Sequence, residues 1–121
     1  MDFKTYQEKA KETAIYPKIN KGFEYPAMGL AGEVGEVLNI LKKVHRDDCE
    51  ISYDYLAKEI GDVLWYVAQL STELGLDLNE IAKANLKKLK SRKERDVLIG
   101  SGDNRWKQEV EKIKGNDYRK K

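Results

Sequence analysis

Two copies of nearly the same nine-residue phrase constrain the fold of this 121-residue chain. LAGEVGEVL occupies positions 30–38 and LAKEIGDVL occupies positions 56–64, and six of the nine letters are identical. The two copies differ in chemical character at one position only, which is Gly32 in the first copy and Lys58 in the second. Apolar residues recur in both at the three- and four-residue spacing of an amphipathic helix. The repeat therefore predicts two helices that present the same kind of face.

Glycine, proline and capping residues divide the chain around these two helices. Pro26 suits the first turn of the second helix, Ser52 can cap the third, and Gly75 can end it. Asp77 or Asn79 can cap the fourth. No segment alternates convincingly with the two-residue period of a strand, so the predicted fold class is all-α. The four helices are expected at about 2–15, 26–45, 52–74 and 77–95, with a break at GSGDN and a short charged helix over 105–114.

The composition bounds the class of protein. A chain of 14.0 kDa suits one domain, which we expect over 1–105, followed by a charged tail over 106–121. The single Cys49 cannot form an internal disulfide, which favours a cytoplasmic location. No apolar run approaches the length of about 20 residues that a membrane span needs, so we expect no membrane partner.

The charge is divided unevenly along the chain. Residues 1–82 carry 9 basic and 15 acidic side chains, whereas residues 83–121 carry 14 basic and 6 acidic ones. A basic segment suits a phosphate-bearing ligand or nucleic acid. The alternative is a solvated helix surface, which is the more common role for charges such as those of the terminal KGNDYRKK.

Each repeated phrase carries a pair of acids on the same flank of its helix. Because successive helical residues turn by about 100°, Glu33 falls about 60° and Glu36 about 120° from the centre of the apolar stripe of the second helix. Glu59 and Asp62 fall at the same two angles on the third helix. Antiparallel packing of the two helices would therefore bring four carboxylates to one pocket.

Four crowded carboxylates need a compensating cation, because like charges raise one another's pKa and oppose folding. Mg²⁺ is the natural choice, since it prefers oxygen ligands and bridges carboxylates to substrate phosphates. The alternative is that the acids are surface charges paired with lysines on neighbouring turns. In the fourth helix, Asn85, Lys88 and Arg92 lie in a band about 60° wide. One amide and two cations on the same face suggest a polyphosphate-binding site. A lysine-rich solvated face is the alternative there.

These motifs resemble the MazG-type, all-α nucleotide pyrophosphohydrolases. The signature of that family is ExxE followed by ExxD, and here Glu33-Val-Gly-Glu36 precedes Glu59-Ile-Gly-Asp62 with 22 residues between them. The surrounding GLAGEVGEV and KEIGDVLWYV are also typical, as is the run from Asn85 to Arg92. The resemblance covers about residues 5–105.

The resemblance implies a four-helix catalytic unit that forms dimers or tetramers. It implies Mg²⁺-dependent hydrolysis of a (deoxy)nucleoside triphosphate between the α and β phosphates, with the four acids of the signature as metal ligands and catalytic groups. One acid would orient or deprotonate the attacking water, and Glu36 is our first choice. Lys88, Arg92 and Asn85 would contact phosphate or sugar. Two further residues would join the substrate site, namely Lys43 at the phosphates and Tyr66 at the sugar or base.

Three alternatives remain at this point. Within the same architecture, the chain could be a dUTPase-like enzyme or a phosphoribosyl-ATP pyrophosphohydrolase. In another class, it could be a helical binding module that uses the basic segment 83–121 on nucleic acid or a protein. Clustered acids would repel a nucleic-acid backbone, so a nucleic-acid partner is not expected.

Overall fold

The computed structural model describes residues 1–95 and is built from helices, with no strand in that range. The prediction of an all-α fold is therefore confirmed. The predicted break at GSGDN, the helix over 105–114, the tail and the domain boundary at 105 lie outside the described residues. The helices are α1 Phe3–Ala10, α2 Glu24–Asp47, α3 Tyr53–Glu73 and α4 Leu78–Glu94, and a 3-10 turn over Lys11–Thr13 follows α1.

The predicted capping residues begin and end these helices. The Ser52 hydroxyl accepts a hydrogen bond from the backbone N–H of Tyr55. The Asp77 carboxylate accepts from the backbone N–H groups of the second and third residues of α4, so it caps this helix in preference to Asn79. Gly75 has φ of +70°, the left-handed conformation that favours glycine just past a helix end.

The first helix is shorter than predicted, because the chain leaves the helical conformation at Ala14. The following segment crosses the C-terminal half of α3, where the Tyr16 hydroxyl donates to Oε1 of Glu73 at 2.6 Å. The backbone N–H of Asn20 donates to the same oxygen at 2.9 Å. Tyr16 is buried and stacks on Tyr25, with ring centroids 5.1 Å apart. These contacts fix the connection between α1 and α2 against α3.

The best-buried part of the described core lies where α1, α3 and the start of α4 meet. Its centre is Ala10, Ala68 and Leu78, with Trp65 packed against it. Gln7 is buried beside it at 2% exposure, and its side-chain amide donates to Thr72 Oγ1 and Leu76 O and accepts from Leu78 N–H. A glutamine thus joins three helices in the core.

The packing of α2 differs from the pattern expected from its apolar stripe. This helix packs mainly against α3, and of its 24 residues only Pro26 is buried. Val34 on α2 is 42% exposed and Ile60 on α3 is 54% exposed, although both belong to the stripes that we expected to be covered. The paired faces of α2 and α3 are therefore only half-buried in the single chain. None of the helices within residues 1–95 combines the length and apolar character of a membrane span.

Candidate metal centre

The pairing of α2 with α3 brings three of the four predicted acids together. Glu33 extends from α2, and Glu59 and Asp62 extend from α3 one turn apart. One carboxylate oxygen from each lies within 4.8 Å of the corresponding oxygens of the other two. Glu33 and Glu59 are half-buried and Asp62 is exposed, so the group lies at the edge of the helix pair and opens to solvent. We call these three residues the acidic group.

The electrostatics of the acidic group centre on Glu33. Burial raises the pKa of the Glu33 carboxyl above its ordinary value, and the negative charges of Asp62, Glu59 and Glu36 raise it further. The charged form of Glu33 is therefore disfavoured when nothing positive lies beside it. A cation at this position would reverse that effect.

The acidic group fits a hard divalent cation. Its donors are all carboxylate oxygens, which are the ligands that Mg²⁺ prefers. Mg²⁺ binds oxygen at about 2.0–2.1 Å, so opposite ligands of an octahedral ion lie about 4.2 Å apart. One oxygen from each carboxylate of the acidic group lies within 4.8 Å of the other two. Small side-chain movements would place all three on one ion and leave positions for water and phosphate.

Glu36 lies beside the acidic group but is not part of it. Its side chain is exposed, one turn beyond Glu33 on α2. Its negative charge nevertheless contributes to the raised pKa of Glu33. The structure thus brings three of the four predicted ligands into contact range, and the role of Glu36 as a metal ligand stays a prediction.

Tyr66 is placed next to the acidic group by close contact between the helices. A Cβ atom at Gly29 of α2 would overlap the Tyr66 ring, so the glycine makes room for it. Burial raises the pKa of the Tyr66 hydroxyl, and nearby Tyr25 and the carboxylates of Glu33 and Asp62 add to the effect. Tyr66 is half-buried within its own chain, with its ring edge-on to that of Trp65 at 5.0 Å.

The predicted substrate-binding residues other than Tyr66 lie on two helices: Lys43 is on α2, which also carries Glu33, and the others are on α4. Asn85 is exposed, and Lys88 and Arg92 are half-buried, on a helix that packs mainly against α1. Lys43 is exposed near the end of α2. The roles of these four residues in substrate binding stay predictions.

Sequence reasoning missed two polar residues farther along α3. Gln69 is 1% exposed, and Glu73 accepts the two hydrogen bonds that hold the Tyr16 segment. A signal for both was present, because they lie seven and eleven residues after Asp62 and so share its flank of the helix. They were overlooked because the segment that covers them comes from the connection between α1 and α2.

The described residues thus form a helical unit in which three carboxylates could hold a metal ion. The family model of the MazG nucleotide pyrophosphohydrolase domain matches residues 23–96. The chain belongs to this family. It is 47% identical over 109 residues to the Gene 37 protein of Mycobacterium phage L5, an alignment that covers 83% of this chain and 96% of that protein. No solved structure matches the chain.

Proposed function

We propose that this protein hydrolyses (deoxy)nucleoside triphosphates between the α and β phosphates and releases a nucleoside monophosphate and pyrophosphate. Membership of the family supports a nucleotide pyrophosphohydrolase. The observation that carries the finer proposal is the convergence of Glu33, Glu59 and Asp62 from two helices. Such a group opposes folding unless it holds a cation, and phosphoryl transfer depends on cations that neutralise phosphate oxygens.

The three carboxylates would hold Mg²⁺, which when bound would supply positive charge to the phosphates and make a coordinated water more acidic. Glu33 and Glu59 approach from two different helices, so the packing of α2 on α3 would determine the position of the cation. Because Asp62 is exposed, the triphosphate can reach the group from solvent.

Glu36 is the acid that we assign to the attacking water. It lies one turn from Glu33 on α2 and is not part of the acidic group. A general base must lie within hydrogen-bond reach of the water, directly or through one further water. Its position one turn from Glu33 on the same helix supports this assignment.

The remaining predicted residues would bind the rest of the substrate. Lys88, Arg92 and Lys43 carry the positive charge that a polyphosphate needs, and Asn85 can donate to a phosphate or sugar oxygen. Tyr66 has its ring against α2 beside the acidic group, which suits contact with the sugar.

We also propose that the protein acts as a homo-oligomer, a dimer or a tetramer, in the cytoplasm. Large apolar side chains remain exposed on the helix pair, including Met28 at 67%, Leu38 at 59% and Ile60 at 54%. Apolar surfaces of this kind mark interaction sites. The free and exposed Cys49 suits a reducing compartment.

A product assay tests the reaction. The protein is incubated with Mg²⁺ and each common NTP and dNTP, and monophosphate, diphosphate, pyrophosphate and phosphate are separated. We expect monophosphate and pyrophosphate in equal amounts, reduced about 10²-fold or more by Glu59→Gln. Lys58→Gln is the matched control, because it changes one charge at the adjacent exposed position of the same helix.

Other products would point to other functions. Strict preference for dUTP would indicate a dUTPase-like enzyme. Phosphoribosyl-ATP is tested in a parallel incubation, and its turnover without turnover of the common nucleotides would indicate the related pyrophosphohydrolase. If neither the common nucleotides nor phosphoribosyl-ATP are hydrolysed, the proposed reaction is wrong and the binding module becomes the better hypothesis.

A further inference from the structure

One flank of α3 carries a continuous row of side chains that can form hydrogen bonds. Glu59, Asp62, Tyr66, Gln69 and Glu73 follow one another at alternating spacings of three and four residues, so they share one side of the helix. With a rise of 1.5 Å per residue, Gln69 lies about 10 Å and Glu73 about 16 Å along the axis from Asp62. The proposed function uses only the first three members of this row.

The far end of the row opens into a cavity of about 210 Å³. The connection between α1 and α2 forms one side of this cavity, and the C-terminal half of α3 forms the other. A ligand pocket for a whole drug-sized molecule measures about 300–1,000 Å³, so this one suits a smaller group. Its lining residues are Lys11, Ala14, Tyr16, Ile19, Asn20, Gln69, Thr72 and Glu73.

Gln69 is the residue of this cavity whose surroundings indicate a bound ligand. It is 1% exposed, and its amide nitrogen Nε2 has no hydrogen-bond partner. Buried polar groups are normally paired, because a missing partner costs free energy. The amide can donate through its nitrogen and accept through its oxygen. A bound group with a complementary edge would therefore satisfy it.

The other walls define the chemistry of that group. Glu73 would repel a phosphate, and Lys11 is the only cation among the residues that line the cavity. Tyr16 and Ile19 supply apolar wall, and Asn20 and Thr72 supply further polar groups. A flat, uncharged heterocycle with donors and acceptors along its edge matches this combination.

We propose that this cavity is the specificity pocket for the substrate's base, with Gln69 reading the hydrogen-bonding edge of the base. The nucleotide would extend along α3, with its phosphates at the acidic group, its sugar beside Tyr66 and its base between Tyr16 and Gln69. This inference rests on the proposed function, because it needs a nucleotide whose phosphates lie at the carboxylates.

Two variants test the pocket by different routes. Gln69→Met keeps the size of the side chain and removes both polar atoms of the amide. Asn20→Gly removes a lining side chain at a position with φ of +65°, where glycine keeps the backbone conformation and the N–H that donates to Glu73. The control is Ser71→Ala. Ser71 is also buried on α3, but its hydroxyl donates to Val67 O within the same helix, and the residue does not line the cavity.

The readout is kcat/KM for each common dNTP, expressed as the ratio between the best and the worst base. We expect Gln69→Met to lower this ratio at least tenfold, mainly through KM for the best substrate, with unchanged products. Asn20→Gly should lower it in the same direction, and Ser71→Ala should leave it unchanged.

Two results would overturn the inference. If the wild-type protein hydrolyses nucleotides but both variants keep its base ratio, or if it has no base preference to lose, the base binds elsewhere while the proposed reaction stands. If the wild-type protein hydrolyses no nucleotide at all, the proposed function fails and this inference fails with it.

Discussion

The ring of Tyr66 occupies the space that a Cβ atom would take at Gly29, so a side chain of α3 rests directly on the backbone of α2. Gly29 directly precedes the first repeated segment, and the glycines within the two segments differ from it. Among the described residues, no atom of a neighbouring element lies within 4 Å of where a Cβ would be at Gly32, Gly35 or Gly61. Gly29 therefore has a steric role within the chain that the other three lack.

The first prediction compares alanine at two of these glycines. We expect Gly29→Ala to destabilise the fold by about 1–2 kcal/mol, because overpacking costs about 1–3 kcal/mol and exceeds the gain in helix propensity. Gly32→Ala should stabilise the fold by up to about 1 kcal/mol. Urea unfolding followed by circular dichroism gives both values. A loss of stability in Gly32→Ala would show that another molecule packs at that position.

The second prediction concerns the buried amide of Gln7, which contacts Thr72, Leu76 and Leu78. Gln7→Leu should lower the free energy of unfolding by more than about 2 kcal/mol, because each buried partner left unpaired costs about 1–3 kcal/mol. Glu8→Leu, at the exposed neighbouring position, should change it by less than about 0.5 kcal/mol. Equal effects in the two variants would contradict a structural role for the amide.

The third prediction uses the hydrogen bond from Tyr16 to Glu73. Burial is the main cause of the raised pKa of the Tyr16 hydroxyl, and the Glu73 carboxylate adds to it. A raised pKa in the folded state contributes stability that is present below the unfolded value of about 10 and is lost as the pH rises through the folded value. Tyr16→Phe should therefore cost about 1.5–3 kcal/mol at pH 7, and less above pH 10.

Chemical unfolding of the wild-type protein and of Tyr16→Phe between pH 7 and 11 measures this difference. Tyr53→Phe is the matched control, because Tyr53 is 76% exposed and its change should have no pH-dependent effect. A difference between wild type and Tyr16→Phe that stays constant above pH 10 would be inconsistent with a hydroxyl that keeps its proton in the fold.

The sequence predicted the helical class and the caps of α3 and α4, because these follow from the preferences of neighbouring residues. It predicted the convergence of the acids because each residue of a helix is rotated by a constant angle from the one before it. Glu33 and Glu59 meet because the repeated phrase gives both helices the same flank. The closeness of Glu36 to the acidic group depends on side-chain rotamers, which the helical angle does not determine.

The position of the core could not be predicted in the same way. Ala68 is fully buried and Ile60 is 54% exposed on the same helix, although isoleucine is the more apolar residue. The reason is tertiary: α1 and the start of α4 cover only the C-terminal half of α3. Likewise, Gln7 and Gln69 are buried polar residues whose surroundings come from segments distant in the sequence.

The last prediction concerns the acidic group, in which removal of one charge should have opposite effects with and without metal. In EDTA at pH 7, Glu33→Gln should raise stability by up to about 1 kcal/mol, because it removes like-charge repulsion at a half-buried position. Mg²⁺ at 100 times its Kd should stabilise the wild-type protein by about 2.7 kcal/mol and the variant by much less. Thermal unfolding with and without Mg²⁺ measures both effects.

The pH dependence of stability provides an independent check on the charge of Glu33. Because the pKa of Glu33 is raised in the folded state, its contribution to stability is complete below the ordinary value of 4.5 and is lost as the pH rises through the folded value. The metal-free wild-type protein should therefore gain stability from this group as the pH falls from 7 towards 4.5, and Glu33→Gln should lack that part of the gain. Glu24→Gln, at an exposed glutamate at the start of α2, is the control and should follow the wild-type profile. If Mg²⁺ stabilised Glu33→Gln as strongly as the wild-type protein, Glu33 would not be a ligand, and the metal centre would have to be sought elsewhere in the chain.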